Sequence, residues 1–393
     1  MAREHTNRKP KVGIVTLYYQ NHNFGGLLQA FALPKLLNER FDVTAEQVPY
    51  SLAFPNSRNQ VPSPRHWAPG NLIYKMGIAF FATLTRKSID TRKKAFDRFM
   101  DEIPHCGEVY DAVSVSRCGE NYSEWICGGD QIWNASNGKG NLAVFTLQFA
   151  PKQAKKFAYA PSMAVLEMSS EGRECLRQGL AGLDHISVRE KSSVEVLKTI
   201  TDRPIEVVVD PVLLLRAEEW AQEARRPRRK KKYLLCYLLG DSISQRKAVT
   251  KLAKALGLQI VTFPHILGNA VRKCDLFFGD VHDYTSGPRE FLGLIQNAEF
   301  VITDSFHACV FSMIFQTPFV VFERSKPGEK GNMNSRVYDF LEEYHLQQQL
   351  VTEKTLSAAG EIPHVDFTFA HAHWKTRRAE SIAYLENALK DEI

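Results

Sequence analysis

Short apolar runs alternate with amphipathic stretches along most of this chain, and turn residues separate them. Residues 290–324 show the pattern best: a helix ends near Asn297, a buried strand spans Phe300–Thr303, a second helix begins near Ser305, and a second buried strand spans Phe319–Phe322. Continuously apolar strands are typical of a parallel sheet that is covered by helices on both faces. The segment therefore predicts half of a doubly wound α/β domain.

The same alternation recurs on both sides of a basic stretch, so two domains are expected. The chain has 393 residues, which exceeds the size at which one hydrophobic core stops growing. We predict a first domain over 1–215, a basic linker over 216–232, a second domain over 233–374 and a C-terminal helix within 375–393. The predicted strands begin at Val12, Glu124, Lys156, His185 and Val207 in the first domain, and at Tyr233, Gln259, Phe300 and Phe319 in the second.

Composition fits a folded protein, with 44% hydrophobic and 24% charged residues. The polar start of the chain predicts no signal peptide. The longest apolar run, Met76–Leu84, is about half of the roughly 20 residues that span a bilayer, so we expect a cytoplasmic protein. The net charge of +6 lies mainly in 86–98 and 225–232. These runs are solvated segments or contacts to anionic lipid at the inner membrane face, and without interleaved aromatics they do not predict nucleic-acid binding.

Seven cysteines lack the CxxC spacing of zinc sites, and the twelve histidines show no metal-binding pattern. We therefore expect a reducing compartment, no metal and no cofactor. Cys309 follows His307 by two residues and could be a nucleophile, although a buried thiol packed in the helix is the favoured interpretation.

Candidate binding groups lie where predicted strands end. His307 falls in the first turn of the helix that begins near Ser305, where backbone N–H groups and the helix dipole favour an anion. The turn before the first helix contains Asn23, Gly25 and Gly26, which allow a ligand to approach the backbone closely.

Three further candidates have a structural alternative that the sequence leaves open. Asp130, next to Gln131, could accept hydrogen bonds from sugar hydroxyls or be a turn residue. Trp133 could stack on a sugar or anchor the core. Arg189 directly follows a strand, and its fork fits a carboxylate or phosphate, but a salt bridge to Glu190 or Asp184 is an equal alternative.

Five blocks of sequence, taken together and in this order, resemble the polysaccharide pyruvyl transferase family. They are Lys11–Gln29, Ile126–Asn134, Ile186–Lys191, Val209–Val212 and the turn Thr303-Asp304-Ser305-Phe306-His307. The resemblance implies two Rossmann-like domains that face a cleft, in a glycosyltransferase-B-like α/β fold, with the final helix crossing back to the first domain. The first domain would serve the acceptor and the second the donor.

In this family, two hydroxyls of a sugar add to carbon 2 of phosphoenolpyruvate, phosphate leaves, and a pyruvate ketal forms. The resemblance implies His307 as the general acid, Asp130 as the second catalytic candidate, and Arg189 with Ser305 in donor binding. The acceptor, which could be lipid-linked, would contact the residues of the first domain's turns, namely Asn23, Gly25, Gly26, Gln131 and Trp133.

Two positions depart from the family pattern. Gly129 stands where relatives often have serine, and Ser305 stands where a distant branch has an arginine. A phosphate-binding cation must then come from elsewhere. The loop after the last strand offers Lys326, which lies near the position of a donor-binding lysine of that branch, with Arg324 and Lys330 as substitutes. Arg336, in the block that follows, is a further candidate for donor binding.

Two other classes of function fit the same pattern, because fold does not fix function. One is a glycosyltransferase that uses a nucleotide sugar. The other is a non-catalytic partner in a polysaccharide assembly complex at the membrane. The oligomeric state and the identity of the acceptor sugar do not follow from the sequence.

Overall fold

The computed structural model describes residues 9–52, 72–134, 139–164, 168–229, 231–267, 270–325 and 332–390. Backbone contacts divide the chain into two units. Unit 1 takes the described residues up to 52, those from Met100 to Leu215 and those from Thr376 onward. Unit 2 takes residues 72–99 and those from Arg216 to Lys375.

Unit 1 is built on a four-stranded parallel sheet in the order β2-β1-β3-β4. Its strands are β1 (Lys11–Val15), β2 (Thr44–Gln47), β3 (Glu124–Gly128) and β4 (Lys155–Tyr159). A separate parallel pair, β5 (Ser187–Val188) and β6 (Glu206–Val207), continues from β4 through a bridge between Phe157 and His185. The helices of unit 1 are α1 (Phe24–Arg40), α3 (Lys139–Val144), α4 (Ser170–Ala181) and α5 (Lys191–Leu197).

Unit 2 is built on a six-stranded parallel sheet. Its strands are β7 (Tyr233–Tyr237), β8 (Gln259–Thr262), β11 (Val281–His282), β12 (Phe300–Thr303), β13 (Phe319–Phe322) and β14 (Leu350–Val351), and an antiparallel hairpin, β9 (Ile266–Leu267) with β10 (Ala270–Val271), follows β8. The helices are α2 (Leu72–Glu102), α6 (Ala217–Glu223), α7 (Ile243–Leu256), α8 (Pro288–Gln296), α9 (Phe306–Ile314), α10 (Ser335–Glu343) and α11 (Glu353–Ala358).

The strand order of unit 2 is β11-β8-β7-β12-β13-β14, which is the order of a Rossmann sheet. The chain moves outward from β7 in one direction and then restarts beside it at β12, so the order reverses between these two neighbours. Every residue of β7, β12 and β13 is buried, as their apolar sequences predict.

Parts of the predicted domain boundaries are wrong. The predicted linker 216–232 contains helix α6, because Trp220 is fully buried and packs edge-on against Phe311 at 5.1 Å. Residues 72–99, placed by the sequence in the first domain, group instead with unit 2. The Arg92 guanidinium donates to the carbonyl of Pro264 at 3.3 Å, which fixes α2 on that unit.

The last helix, α12 (Thr368–Lys390), begins earlier than the predicted start near 375. Asp366 sets the start, because its carboxylate accepts the Thr368 backbone N–H at 2.9 Å. Residues of α12 up to Lys375 belong to unit 2, and those from Thr376 belong to unit 1. No helix in the described part of the chain combines the length and hydropathy that a membrane span needs.

Candidate functional site

The carboxyl ends of β7 and β12 meet at the point where the strand order of unit 2 reverses, and ligands of Rossmann sheets bind outside such points. Asp304, directly after β12, accepts the backbone N–H of Leu239 at 2.8 Å and that of Gly240 at 2.6 Å. The turn after β7 is packed tightly, since a Cβ on Gly240 would lie 3.0 Å from the Asp304 carboxylate. Asp304 thus holds the turn after β7 in place at the edge where a candidate site lies.

His307 lies in the first turn of α9, which begins two residues after Asp304. Ser305 is the N-cap residue, and its side chain makes no capping hydrogen bond, while its own N–H is held by Thr303 Oγ1 at 3.0 Å. The His307 side chain is buried and meets the ring of Phe306 edge-on at 5.1 Å. The positive end of the helix dipole therefore lies beside a titratable ring, as the sequence predicts.

Four arginines from separate segments gather at the same edge of the sheet. Arg324 Nη2 donates to the Asp304 carbonyl at 2.8 Å, Arg246 Nη2 donates to the Gly240 carbonyl at 2.9 Å, and Arg272 donates to the Leu239 carbonyl. Arg92 reaches the edge from α2 through the carbonyls of residues 264 and 283. Two guanidinium groups thus bond the turn after β7, and a third bonds the adjacent Asp304 after β12.

His265, which follows β8, stands among these arginines. Its backbone N–H donates to the Asp275 carboxylate at 3.0 Å, and its carbonyl accepts the Arg272 N–H at 2.9 Å. Burial of the ring, followed by the positive charges of Arg272, Arg324, Arg92 and Arg246, lowers the pKa of His265 to about 4. The histidine is therefore neutral at pH 7 in a cationic setting.

Not every guanidinium group at this edge has a bonded carboxylate. Arg246 is paired with Asp275 at 2.6 Å, and Arg324 lies 3.6 Å from the Asp304 carboxylate. Asp283 offsets part of the charge of Arg92. Arg272 is half-buried and forms no ion pair with any carboxylate of the described residues. The positive charge of Arg272 therefore has no directly bonded partner among these residues, which favours an anion beside it.

Reasoning from the sequence did not identify Arg92, Arg246, Arg272 or His265. His265 could have been found by the rule applied to Arg189, since it lies just beyond a predicted strand. The arginines carry no such local signal. They reach the site from two helices and a hairpin, and only the fold brings those segments together.

The corresponding edge of unit 1 has the opposite charge. The Arg189 side chain is 3% exposed and bonds three carboxylates: Glu190 at 2.8 Å, Asp210 at 2.5 Å and Asp130 at 3.3 Å. Burial acts to lower the pKa of Arg189, but the three carboxylates outweigh it and raise the pKa above its ordinary value. Among the described residues, these four side chains carry a formal net charge of −2. This arrangement favours the ion-pair alternative for Arg189 over a donor-binding role, and it gives Asp130 a cationic partner.

The glycine turns of unit 1 are structural in the first instance. Asn23 caps α1, because its carboxamide oxygen accepts the Gly26 N–H at 3.0 Å, and both Gly25 and Gly26 are buried. Gly129 has a φ of +89°, and a Cβ there would overlap Gln29 Oε1. The serine of relatives would not fit this conformation.

Trp133 is fully buried, and its indole N–H donates to the Phe145 carbonyl at 2.9 Å. Its predicted role as a stacking face is therefore corrected to that of a core anchor. Gln131, with a φ of +56°, is half-buried beside Asn134. Arg336 is buried in α10. Lys326 and Lys330 lie outside the described residues.

Cys309 is buried in α9, and burial raises the pKa of its thiol above the ordinary value. A raised pKa disfavours the thiolate, so the packing interpretation is the better one. Among the described residues, no group of three or more His, Cys, Asp or Glu side chains is arranged to hold a metal ion.

Comparison with known families decides the family of this chain. The model of the polysaccharide pyruvyl transferase family matches residues 23–326, well over half of the sequence. The chain belongs to this family. A comparison with curated proteins found no match.

Solved structures show the same fold at low sequence identity. The UDP-GlcNAc 2-epimerase of Neisseria meningitidis, solved with UDP-GlcNAc, is 12% identical, with a TM-score of 0.50 over 97% of this chain and 100% of that one. The S. aureus protein MnaA, solved with UDP, is 13% identical, with a TM-score of 0.50 over 98% and 99% of the two chains. The predicted glycosyltransferase-B-like α/β fold is therefore confirmed, and these similarities carry no conclusion about ligands.

Proposed function

We propose that this protein transfers the enolpyruvyl unit of phosphoenolpyruvate onto two hydroxyls of one sugar, forming a pyruvate ketal in polysaccharide biosynthesis. The observation that carries this proposal is the group of arginines at the edge of the unit 2 sheet where α9, the helix that holds His307, begins. Family membership supports the reaction type, and these arginines support a donor site in unit 2. A donor with a carboxylate and a phosphate requires such a site.

The chemistry places few demands on the protein. Two sugar oxygens bond to carbon 2, the C–O bond to phosphate breaks, and the methylene becomes a methyl group. The hydroxyls lose two protons. One proton ends on the methyl carbon and the other on the released phosphate. His307 supplies the carbon-bound proton as the general acid, and the guanidinium groups stabilise the charge of the departing phosphate.

Features of unit 1 support the proposal that it binds the acceptor sugar. Asp130 is held by Arg189, and its side chain is 11% exposed, so an oxygen can still accept a hydrogen bond from a hydroxyl. The net negative charge around Arg189 repels a trianionic donor but not a neutral sugar. We therefore place the acceptor hydroxyls at unit 1 and the donor at unit 2.

The test is a turnover assay with phosphoenolpyruvate and a panel of sugars, lipid-linked acceptors included. Released phosphate is measured, and the product is examined by NMR for a ketal methyl group derived from labelled phosphoenolpyruvate. His307→Gln is the matched inactive variant. The proposal predicts phosphate release that depends on the acceptor and is lost in that variant. Glycosyl transfer from a nucleotide sugar without phosphoenolpyruvate would refute the proposal and favour a glycosyltransferase.

A further inference from the structure

Three side chains of unit 2 converge on one small region of the sheet edge. Arg272 and His265 face each other across the hairpin after β8, joined by the backbone bond of 2.9 Å from the Arg272 N–H to the His265 carbonyl. The guanidinium of Arg272 reaches the turn after β7 at Leu239. Arg324 reaches the same turn from β13, since its Cγ would lie 3.6 Å from a Cβ at Gly240.

Arg272 and Arg324 differ from Arg246 in how far their guanidinium groups are available to a ligand. Arg246 is 4% exposed at its side chain and is committed to Asp275, so it belongs to the scaffold. Arg324 is 19% exposed and only 3.6 Å from its carboxylate, and Arg272 has no carboxylate partner among the described residues. A guanidinium that is anchored by a carbonyl keeps N–H groups that can form a fork with a phosphate.

We propose that Arg272, Arg324 and His265 form the subsite that binds the phosphate group of the donor, and that His265 takes up a proton when this group binds. The inference rests on the proposed function for the identity of the donor. The number of charges favours the phosphate over the donor's carboxylate: Arg272, which has no carboxylate partner among the described residues, and one proton on His265 together match a dianion, whereas a carboxylate needs only one positive charge.

The surroundings of His265 explain the proton uptake. The charged groups that face it are Arg92 of α2, Arg246 of α7, Arg272 after β10 and Arg324 after β13, with the Asp275 carboxylate on its backbone N–H. In the free protein, burial and then the arginines hold the pKa of the ring at about 4, so the ring is neutral at pH 7. A dianion among these groups reverses the local potential and raises the pKa of His265, which binds a proton as linkage requires.

The experiment is titration calorimetry with inorganic phosphate at pH 7 in buffers of different ionisation enthalpy, which gives both affinity and proton uptake. Arg272→Ala should lower phosphate affinity by about tenfold or more, and Arg272→Lys should restore it only in part. His265→Gln should bind phosphate with fewer protons taken up than the wild type. Phosphate itself can exchange protons on binding, but this contribution is the same for both proteins and cancels when their proton uptakes are subtracted. Lys247→Ala removes an exposed cation on α7 and should change neither quantity.

Each result has a defined meaning once thermal melting shows that the variants are folded. Wild-type phosphate affinity in Arg272→Ala, or equal proton uptake in His265→Gln and the wild type, would overturn the proposal. Pyruvate binding that depends on Arg272, without phosphate binding, would also overturn it by assigning the subsite to the carboxylate. These measurements need no acceptor and no turnover. A protein that binds phosphate as expected but does not use phosphoenolpyruvate would keep the subsite and lose the proposed function.

Discussion

Replacing Arg189 by alanine leaves three carboxylates in unit 1 without the guanidinium that bonds them all. The side chains of Glu190 and Asp210 are 3% and 1% exposed, so solvent cannot take over the lost interactions. Breaking a buried ion pair by removing one partner costs about 3–5 kcal/mol. We expect Arg189→Ala to lower the free energy of unfolding by at least this amount at pH 8, because one residue serves three pairs.

The cost should depend on pH in a definite direction. The variant can relieve the repulsion by binding protons on the carboxylate cluster in the folded state, and the unfolded chain binds fewer protons over the same range. Stability then falls as pH rises, because its slope follows the protons bound unfolded minus those bound folded. The deficit relative to the wild type should therefore grow as pH rises.

Urea unfolding of the two proteins at several pH values measures this difference directly. Arg177→Ala is the matched control: it also breaks an Arg–Glu pair, but both side chains are at least half exposed, so little change is expected. The reasoning is refuted if Arg189→Ala unfolds like the wild type while its affinity for phosphoenolpyruvate falls. Arg189 would then bind the donor, as the family resemblance implies.

Three other substitutions test the remaining assignments. His307→Gln should reduce acceptor-dependent phosphate release about a hundredfold or more without lowering the melting temperature, since it removes the proton donor. Trp133→Phe should lower stability by about 1–3 kcal/mol in urea unfolding, because the bond to the Phe145 carbonyl is lost, and should leave the KM for acceptor unchanged. Gly129→Ala should lower stability by about 2 kcal/mol or more, because its φ of +89° and the contact with Gln29 both exclude a side chain.

Opposite outcomes would each remove one assignment. Near-normal turnover in His307→Gln would require a different acid. A raised KM for acceptor in Trp133→Phe, with unchanged stability, would return that residue to the binding surface. An unperturbed Gly129→Ala protein would mean that the turn after β3 adapts, so that the serine of relatives could be accommodated there.

The parts of the fold that could be predicted from sequence are those fixed by local pattern. Phe300–Thr303 and Phe319–Phe322 are strands within the predicted bounds, because wholly apolar runs between turns admit few alternatives. Helix α6 was missed because the contact that buries it, Trp220 on Phe311, joins residues far apart in the chain. The pattern around residue 217 contains no sign of that partner.

The candidate site divides in the same way. His307 could be placed at a helix start because the preceding strand and turn are local features. The partners of Arg189 at residues 130 and 210, and the approach of Arg272 to the turn after β7, depend on chain crossings that no periodicity encodes. The charge at each sheet edge therefore depends on the fold. The fold surrounds Arg189 of unit 1 with carboxylates but leaves Arg272 of unit 2 without one among the described residues, a difference that the sequence does not reveal.

Helix α12 has a practical consequence for dissecting the molecule. Tyr384 donates to the Ala158 carbonyl at 2.7 Å, Ser381 accepts the Val209 N–H at 2.9 Å, and Lys155 donates to the Leu389 carbonyl at 2.9 Å. A recombinant fragment that stops at residue 215 would lose all three anchors and expose backbone groups that are buried in the full chain. An autonomous version of unit 1 would need the last helical turns supplied again, either as a separate peptide or through a circularly permuted gene.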